Sequence, residues 1–139
     1  MYGQYYHSLD AKNRFRLPKQ LKNGTSYVIA KGNEGCLFMF DLDYFNQTFM
    51  AKLDSIPTFD VEANKALRLF MSSCFELVED NQGRMLMPSA LKSYAEISKD
   101  IVLIGVGNRV EIWAKEKWES YSANVDFDSV SSALNKYSL

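Results

Sequence analysis

Two short segments carry the residues best suited to chemistry. Asp10-x-x-x-Arg14 and Asp80-x-x-x-Arg84 each place a carboxylate four residues ahead of a guanidinium. An Asp side chain that opens a turn accepts backbone N–H bonds from the residues that follow, and Gly or Asn closes such a turn by tolerating positive φ. Asp10 with Asn13, and Asp80 with Gly83, are therefore read as the turn-forming residues. The planar donor fork of an arginine suits bidentate contact with a phosphate or with the acceptor edge of guanine. Lys12 and Arg16 flank Arg14 and suit phosphate contacts, which position a protein on a duplex without specifying sequence. Gln82, beside Asn81, occupies the matching tip of the second turn and offers an amide instead of a charge. The candidate DNA-binding set is thus Lys12, Arg14, Arg16, Gln82 and Arg84.

A competing role for each arginine is an ion pair with its own Asp. Around Arg14 the residues Lys12, Arg16 and Lys19 supply like charge and favour an external anion. Around Arg84, Glu79 and Asp80 make a purely structural salt bridge an equal alternative. The first segment is expected to provide most of the electrostatic attraction. Between Asp10 and Lys22 the charge is +4, so the rest of a chain with net charge −1 carries −5. A basic patch on an acidic body is compatible with a local nucleic-acid surface.

Other chemistries find little support. His7 is the single histidine and has no carboxylate pair or nucleophile beside it, and Gly105-Val106-Gly107 is a turn without the helix a phosphate loop requires. No catalytic residue, cofactor, metal or small-molecule substrate is expected. Cys36 and Cys74 lie in apolar contexts and read as reduced, buried thiols, too few with one histidine for a zinc site. No apolar run approaches the roughly 18 residues of a membrane span. The segment Met1–His7 lacks a basic start followed by an apolar stretch, so a cytoplasmic location is expected.

The elements that must hold these residues come in two copies. Shifted by 70 positions, residues 9–22 fall on 79–92, with Asp, Arg, Pro, Leu and Lys coinciding. Shifted by 73, Val28–Gly32 meets Ile101–Gly105, and Leu37–Phe40 meets Val110–Trp113. Each copy predicts a strand (Gln4–Leu9, Cys74–Glu79), the Asp turn and a return strand (Arg14–Leu17, Arg84–Met87). A short helix introduced by proline follows (Pro18–Lys22, Pro88–Ala95), then a hairpin of Tyr27–Lys31 with Cys36–Phe40 or Ile101–Gly105 with Arg109–Ala114. Between the copies, Asp41 or Asp43 caps a helix to about Leu53 with Phe45, Phe49 and Leu53 on one stripe. Ile56-Pro57 interrupts it, Asp60 caps the next helix, and Leu67, Phe70 and Met71 mark its buried face. These stripes suit both core and subunit contact. Lys115–Tyr121 reads as a short helix, and the Ser-rich tail has weak periodicity. Phe38, Phe40, Trp113 and Trp118 are read as core, not as base-stacking platforms.

The segments LDAKNRFRLP, GNEGCLFMF, EDNQGRMLMPSALKSYA and DIVLIGVGNRVEIWAKEKWE together resemble the MraZ family over roughly residues 1–121. The resemblance implies a mostly β, α+β fold of two tandem AbrB-like modules of swapped-hairpin β-barrel type, related by a pseudo-twofold. The modules would be residues 1–50 and 74–121, with a helical insert at 51–73 and a tail at 122–139. It also implies a sequence-specific regulator of transcription for the division and cell-wall gene cluster, nucleoid-associated, binding double-stranded DNA at short direct repeats near its own promoter. Ring-shaped homo-oligomers would present the Asp-x-x-x-Arg turns to DNA. Asn13 departs from the glycine usual in the family. An antitoxin-like protein-interaction module, with Ser122–Leu139 wrapping a partner, is the alternative.

Overall fold

A computed structural model describes residues 1–139. The chain begins with β1 (Tyr2–Ser8), the first Asp turn and the two-residue strand β2 (Arg14–Phe15). A 3-10 turn at Lys19–Leu21 leads to β3 (Ser26–Lys31) and β4 (Leu37–Asp41). Next comes a helical run: α1 (Leu42–Tyr44), a π-helical turn (Phe45–Phe49) and α2 (Met50–Leu53), followed after Pro57 by α3 (Val61–Ser72). The second copy supplies β5 (Phe75–Val78), β6 (Met85–Leu86), α4 (Ser89–Tyr94), β7 (Asp100–Val106) and β8 (Val110–Ala114). Helix α5 (Lys115–Asn124), α6 (Phe127–Val130) and a 3-10 stretch (Ser131–Tyr137) complete the chain. The fold is α+β, and no helix is long and apolar enough to cross a membrane.

Six strands form one sheet in the order β1-β7-β8-β4-β3-β5, and β2 pairs with β6 in a separate ribbon. Exchanging the two copies maps each order onto itself. The hairpins β3-β4 and β7-β8 form as the sequence predicts, and they meet at the centre through Leu37 opposite Ile112. The strands before each Asp turn behave differently. β1 pairs with β7 of the other copy, from Tyr2 opposite Val106 to Ser8 opposite Asp100, and β5 pairs with β3. The strand–turn–return unit is therefore not a self-paired hairpin, as the local pattern suggested. Its two arms take partners in the opposite copy, and Phe15 lies opposite Met85.

Alternation along the strands builds two cores. Tyr27, Ile29, Leu37, Met39, Ile101, Leu103, Val110 and Ile112 point to one face, where Phe15, Leu17, Leu21, Met85, Met87 and Leu91 close over them. Residues of both copies thus share a single 19-residue cluster. On the other face Val28 and Phe40 pack under Phe45 and Phe49, and Phe70 of the insert packs on Phe49, with Phe40–Phe49 ring centroids 4.6 Å apart. In the second copy Trp113 packs against Trp118 at 5.3 Å and Tyr121 at 4.8 Å. Of the aromatic positions read as core, Phe40 and Trp113 are buried, while Phe38 and Trp118 are half-buried at the surface.

Capping follows the sequence pattern, with adjustments. Asp41 accepts from the Tyr44 N–H at 2.9 Å, and Asp60 from that of Ala63 at 3.0 Å. The π-helical turn brings the Phe45 and Phe49 rings to 5.3 Å from one another above Phe40. After Pro18 the helix is a single 3-10 turn, whereas Pro88 opens a six-residue α-helix. The tail, too weak in pattern for assignment, forms short helical segments with Phe127, Leu134 and Tyr137 exposed.

Candidate nucleic-acid interface

The two Asp turns have the same hydrogen bonds. In loop 1 (residues 10–14) Asp10 Oδ1 accepts the N–H groups of Lys12 at 2.9 Å and Arg14 at 2.8 Å. The backbone closes with Asn13 N–H to the Asp10 carbonyl at 3.0 Å and Asp10 N–H to the Arg14 carbonyl at 2.9 Å. In loop 2 (residues 80–84) Asp80 Oδ1 accepts from Gln82 at 2.9 Å and Arg84 at 2.8 Å, with matching backbone bonds at 3.0 and 2.9 Å. Asn13 has φ 60° and Gly83 φ 74°, the left-handed conformation that this turn needs and that these two residue types adopt at least cost. Asp10 with Asn13, and Asp80 with Gly83, thus close two turns of matching geometry.

The second carboxylate oxygen fixes the arginine. Asp10 Oδ2 accepts from Arg14 Nε at 2.8 Å, and Asp80 Oδ2 from Arg84 Nε at 2.9 Å. Nε is the inner nitrogen of the guanidinium, so both terminal amino groups of each arginine carry no hydrogen bond within the chain. The side chains of Arg14 and Arg84 are 26% and 25% exposed, so the two environments are equivalent. Both carboxyls are held below the usual Asp range, first by the backbone N–H of the arginine four residues on. Burial opposes the shift, and the guanidinium's own hydrogen bond adds to it. Each Asp is therefore ionised at neutral pH and orients its arginine.

The β2–β6 ribbon sets the loops side by side. Arg14 and Arg84 line the same open concavity with His7, Ser8, Asp10, Phe15 and Arg16. A duplex or other anion entering it would meet guanidinium groups from both copies. Lys12, Arg16 and Gln82 are exposed beside them. Arg16 also donates through Nε to the Gln82 carbonyl at 2.9 Å.

A family model described as "MraZ protein, putative antitoxin-like" matches residues 70–136. A protein of Clostridium beijerinckii named transcriptional regulator MraZ is 46% identical over 136 residues, covering 96% of this chain and 95% of that one. The chain belongs to the MraZ family. MraZ relatives of the same name occur in Acetivibrio thermocellus, 40% identical over 95% of this chain and 93% of theirs, and in Clostridium tetani, 37% identical over 96% of each. The MraZ resemblance carried by the Asp-x-x-x-Arg segments thus extends over nearly the whole chain, including most of the tail.

Two groups at the site escaped the sequence reading. His7 and Ser8, at the end of β1, line the concavity because β1 crosses to the other copy. Lys92, in α4, donates to Asn13 Oδ1 at 3.0 Å. The repeat alignment matches Lys92 to Lys22, but spacing alone does not show which loop it reaches.

Proposed function

We propose that this chain is a sequence-specific, DNA-binding regulator of transcription, acting on short direct repeats near its own promoter in a division and cell-wall gene cluster. The observation that carries the reading is the pair of Asp-fixed arginines lining one concavity with their terminal amino groups unbonded. A guanidinium already oriented by a carboxylate loses less freedom when it grips a phosphate or a guanine edge. Lys12 and the outer nitrogens of Arg16 add phosphate contacts, and Gln82 offers an amide to a base edge or a phosphate.

The architecture that goes with this function is a pair of AbrB-like, swapped-hairpin modules at residues 1–50 and 74–121, with the insert at 51–73 and the tail at 122–139. Support comes from the exchange of β1 and β5 between copies and from the self-mapping strand order. A homo-oligomeric ring of such chains would face repeated boxes with several concavities and gain avidity through effective concentration. The location that fits is cytoplasmic and nucleoid-associated, with no membrane, cofactor or small-molecule substrate involved.

A gel-shift against the chain's own upstream region, with a scrambled duplex as control, tests the reading. Binding to the native duplex alone, lost in the Arg14→Ala/Arg84→Ala double variant, is expected. The apolar residues exposed along the tail favour one second reading, an antitoxin-like module that binds another protein. A stoichiometric protein partner together with no binding to the upstream duplex would select it.

A further inference from the structure

Two side-chain contacts hold the loops from the opposite copy, and neither has a counterpart under the internal symmetry. Arg16, just after loop 1, donates through Nε to the carbonyl of Gln82 in loop 2 at 2.9 Å. Lys92, in the second copy, donates through Nζ to Asn13 Oδ1 in loop 1 at 3.0 Å. A backbone bond from Met87 N–H to the Asn13 carbonyl, at 2.9 Å, lies beside it. The repeat matches Arg16 with Leu86, Asn13 with Gly83 and Lys92 with Lys22. Leu86 has no donor, and Gly83 has no side-chain acceptor. Lys22 turns instead to Glu79, with which it pairs at 3.0 Å. Each loop is thus anchored by a cation of the opposite copy, through chemistry the other loop lacks.

Asn13 sharpens the point. At φ 60° glycine is the least strained residue, and loop 2 uses it. Asn at this place adds a side-chain amide, and its oxygen accepts from Lys92.

We propose that Arg16 and Lys92 are positioning residues that clamp the loops onto the opposite copy, Arg16 tying the chain just after loop 1 to loop 2 and Lys92 tying loop 1 to α4, and so fix the separation and orientation of Arg14 and Arg84. The proposal rests on the DNA-binding reading above. With the clamp in place, a duplex meets two arginines already set as a pair. Without it, each loop must be ordered during binding, and the matched site loses affinity. The terminal nitrogens of Arg16 remain free, so its clamp and a phosphate contact are compatible.

The test uses the full chain, with amide hydrogen exchange in the absence of DNA and salt-titrated binding to the upstream duplex. Asn13→Gly and Lys92→Met remove the same bond, one with all charges kept and one with a charge lost. Asn13→Gly is expected to weaken binding about three- to tenfold with an unchanged salt slope. Lys92→Met should weaken it at least as much, and the double variant should lose less than the sum of the two. Arg16→Met should speed exchange at the Gln82 and Arg84 amides, in the opposite copy, and Arg16→Gln, which retains a donor, should slow it again. The clamp is overturned if Asn13→Gly binds like wild type while Lys92→Met only lowers the salt slope by about 0.9, the signature of a plain phosphate contact. Unchanged loop 2 exchange in Arg16→Met also overturns it. A wild-type chain that binds no duplex refutes the DNA reading instead, and the exchange data still decide the clamp.

Discussion

Removing one loop's cations at a time converts the geometry into a number. Arg14 and Arg84 sit in equivalent carboxylate grips, at 2.8 and 2.9 Å and with nearly equal exposure. Each is therefore expected to neutralise one phosphate, and Arg14→Ala and Arg84→Ala should each reduce the slope of log affinity against log salt by about 0.9. Between 50 and 200 mM salt, that slope corresponds to a loss of wild-type advantage of ~3.5-fold per arginine. The loops differ in their flanks, because Lys12 is a second exposed cation in loop 1 whereas Gln82 is uncharged in loop 2. Lys12→Ala/Arg14→Ala should then remove about 1.8 from the slope, or ~12-fold over the same salt range, against about 0.9 for Gln82→Ala/Arg84→Ala. Fluorescence anisotropy with a labelled upstream duplex at four or five salt concentrations gives each slope directly. The expectation that loop 1 dominates thus moves from its arginine to its flanking lysine. If either arginine variant binds with unchanged slope and affinity, that guanidinium is committed to its Asp and the shared-concavity reasoning fails.

Three further outcomes follow from the structure. Because backbone N–H bonds hold the Asp10 and Asp80 carboxyls below their usual range, their contribution to loop order is complete above the unfolded value of about 3.9 and is lost as pH falls through the lower folded value. Carboxyl carbon NMR titrations should show both midpoints below 3.9 (roughly the unperturbed value), and a midpoint at or above it would contradict the loop geometry. Burial pushes the Cys36 thiol up to about 12 and the Cys74 thiol up to about 11. Iodoacetamide at pH 8 (about the ordinary thiol range) should leave both unmodified in the native protein and label both in urea; rapid native labelling would refute this packing. Ile112, fully buried and paired with both Leu37 and Leu103, joins the two copies at the sheet centre. Ile112→Ala should cost about 2–5 kcal/mol and shift one cooperative urea transition; loss of only half the secondary structure at a first transition would show that the copies unfold separately.

The two hairpins, the helix caps and the Asp turns were legible in the sequence because each depends on short-range chemistry. Asp10 and Asp80 reach N–H groups two and four residues ahead, and Asn13 and Gly83 supply the left-handed position between them. Alternation along Tyr27–Lys31 and Val110–Ala114 set which residues face the larger core. The internal repeat revealed that the chain has two equivalent halves. It did not reveal how they pair. A strand pattern encodes which face is apolar and leaves its partner open, since any edge with a compatible register satisfies its backbone. Local proximity suggested that β1 would return onto β2, yet packing sends β1 to β7 and β2 to β6, where both copies close one 19-residue core. That choice belongs to the tertiary structure, and the site depends on it. Sequence placed Arg14 and Arg84 at the two turns and left open whether each pairs with its Asp; only the pairing of β2 with β6 puts them in one concavity, with Arg16 reaching loop 2 and Lys92 reaching loop 1 from the opposite copy.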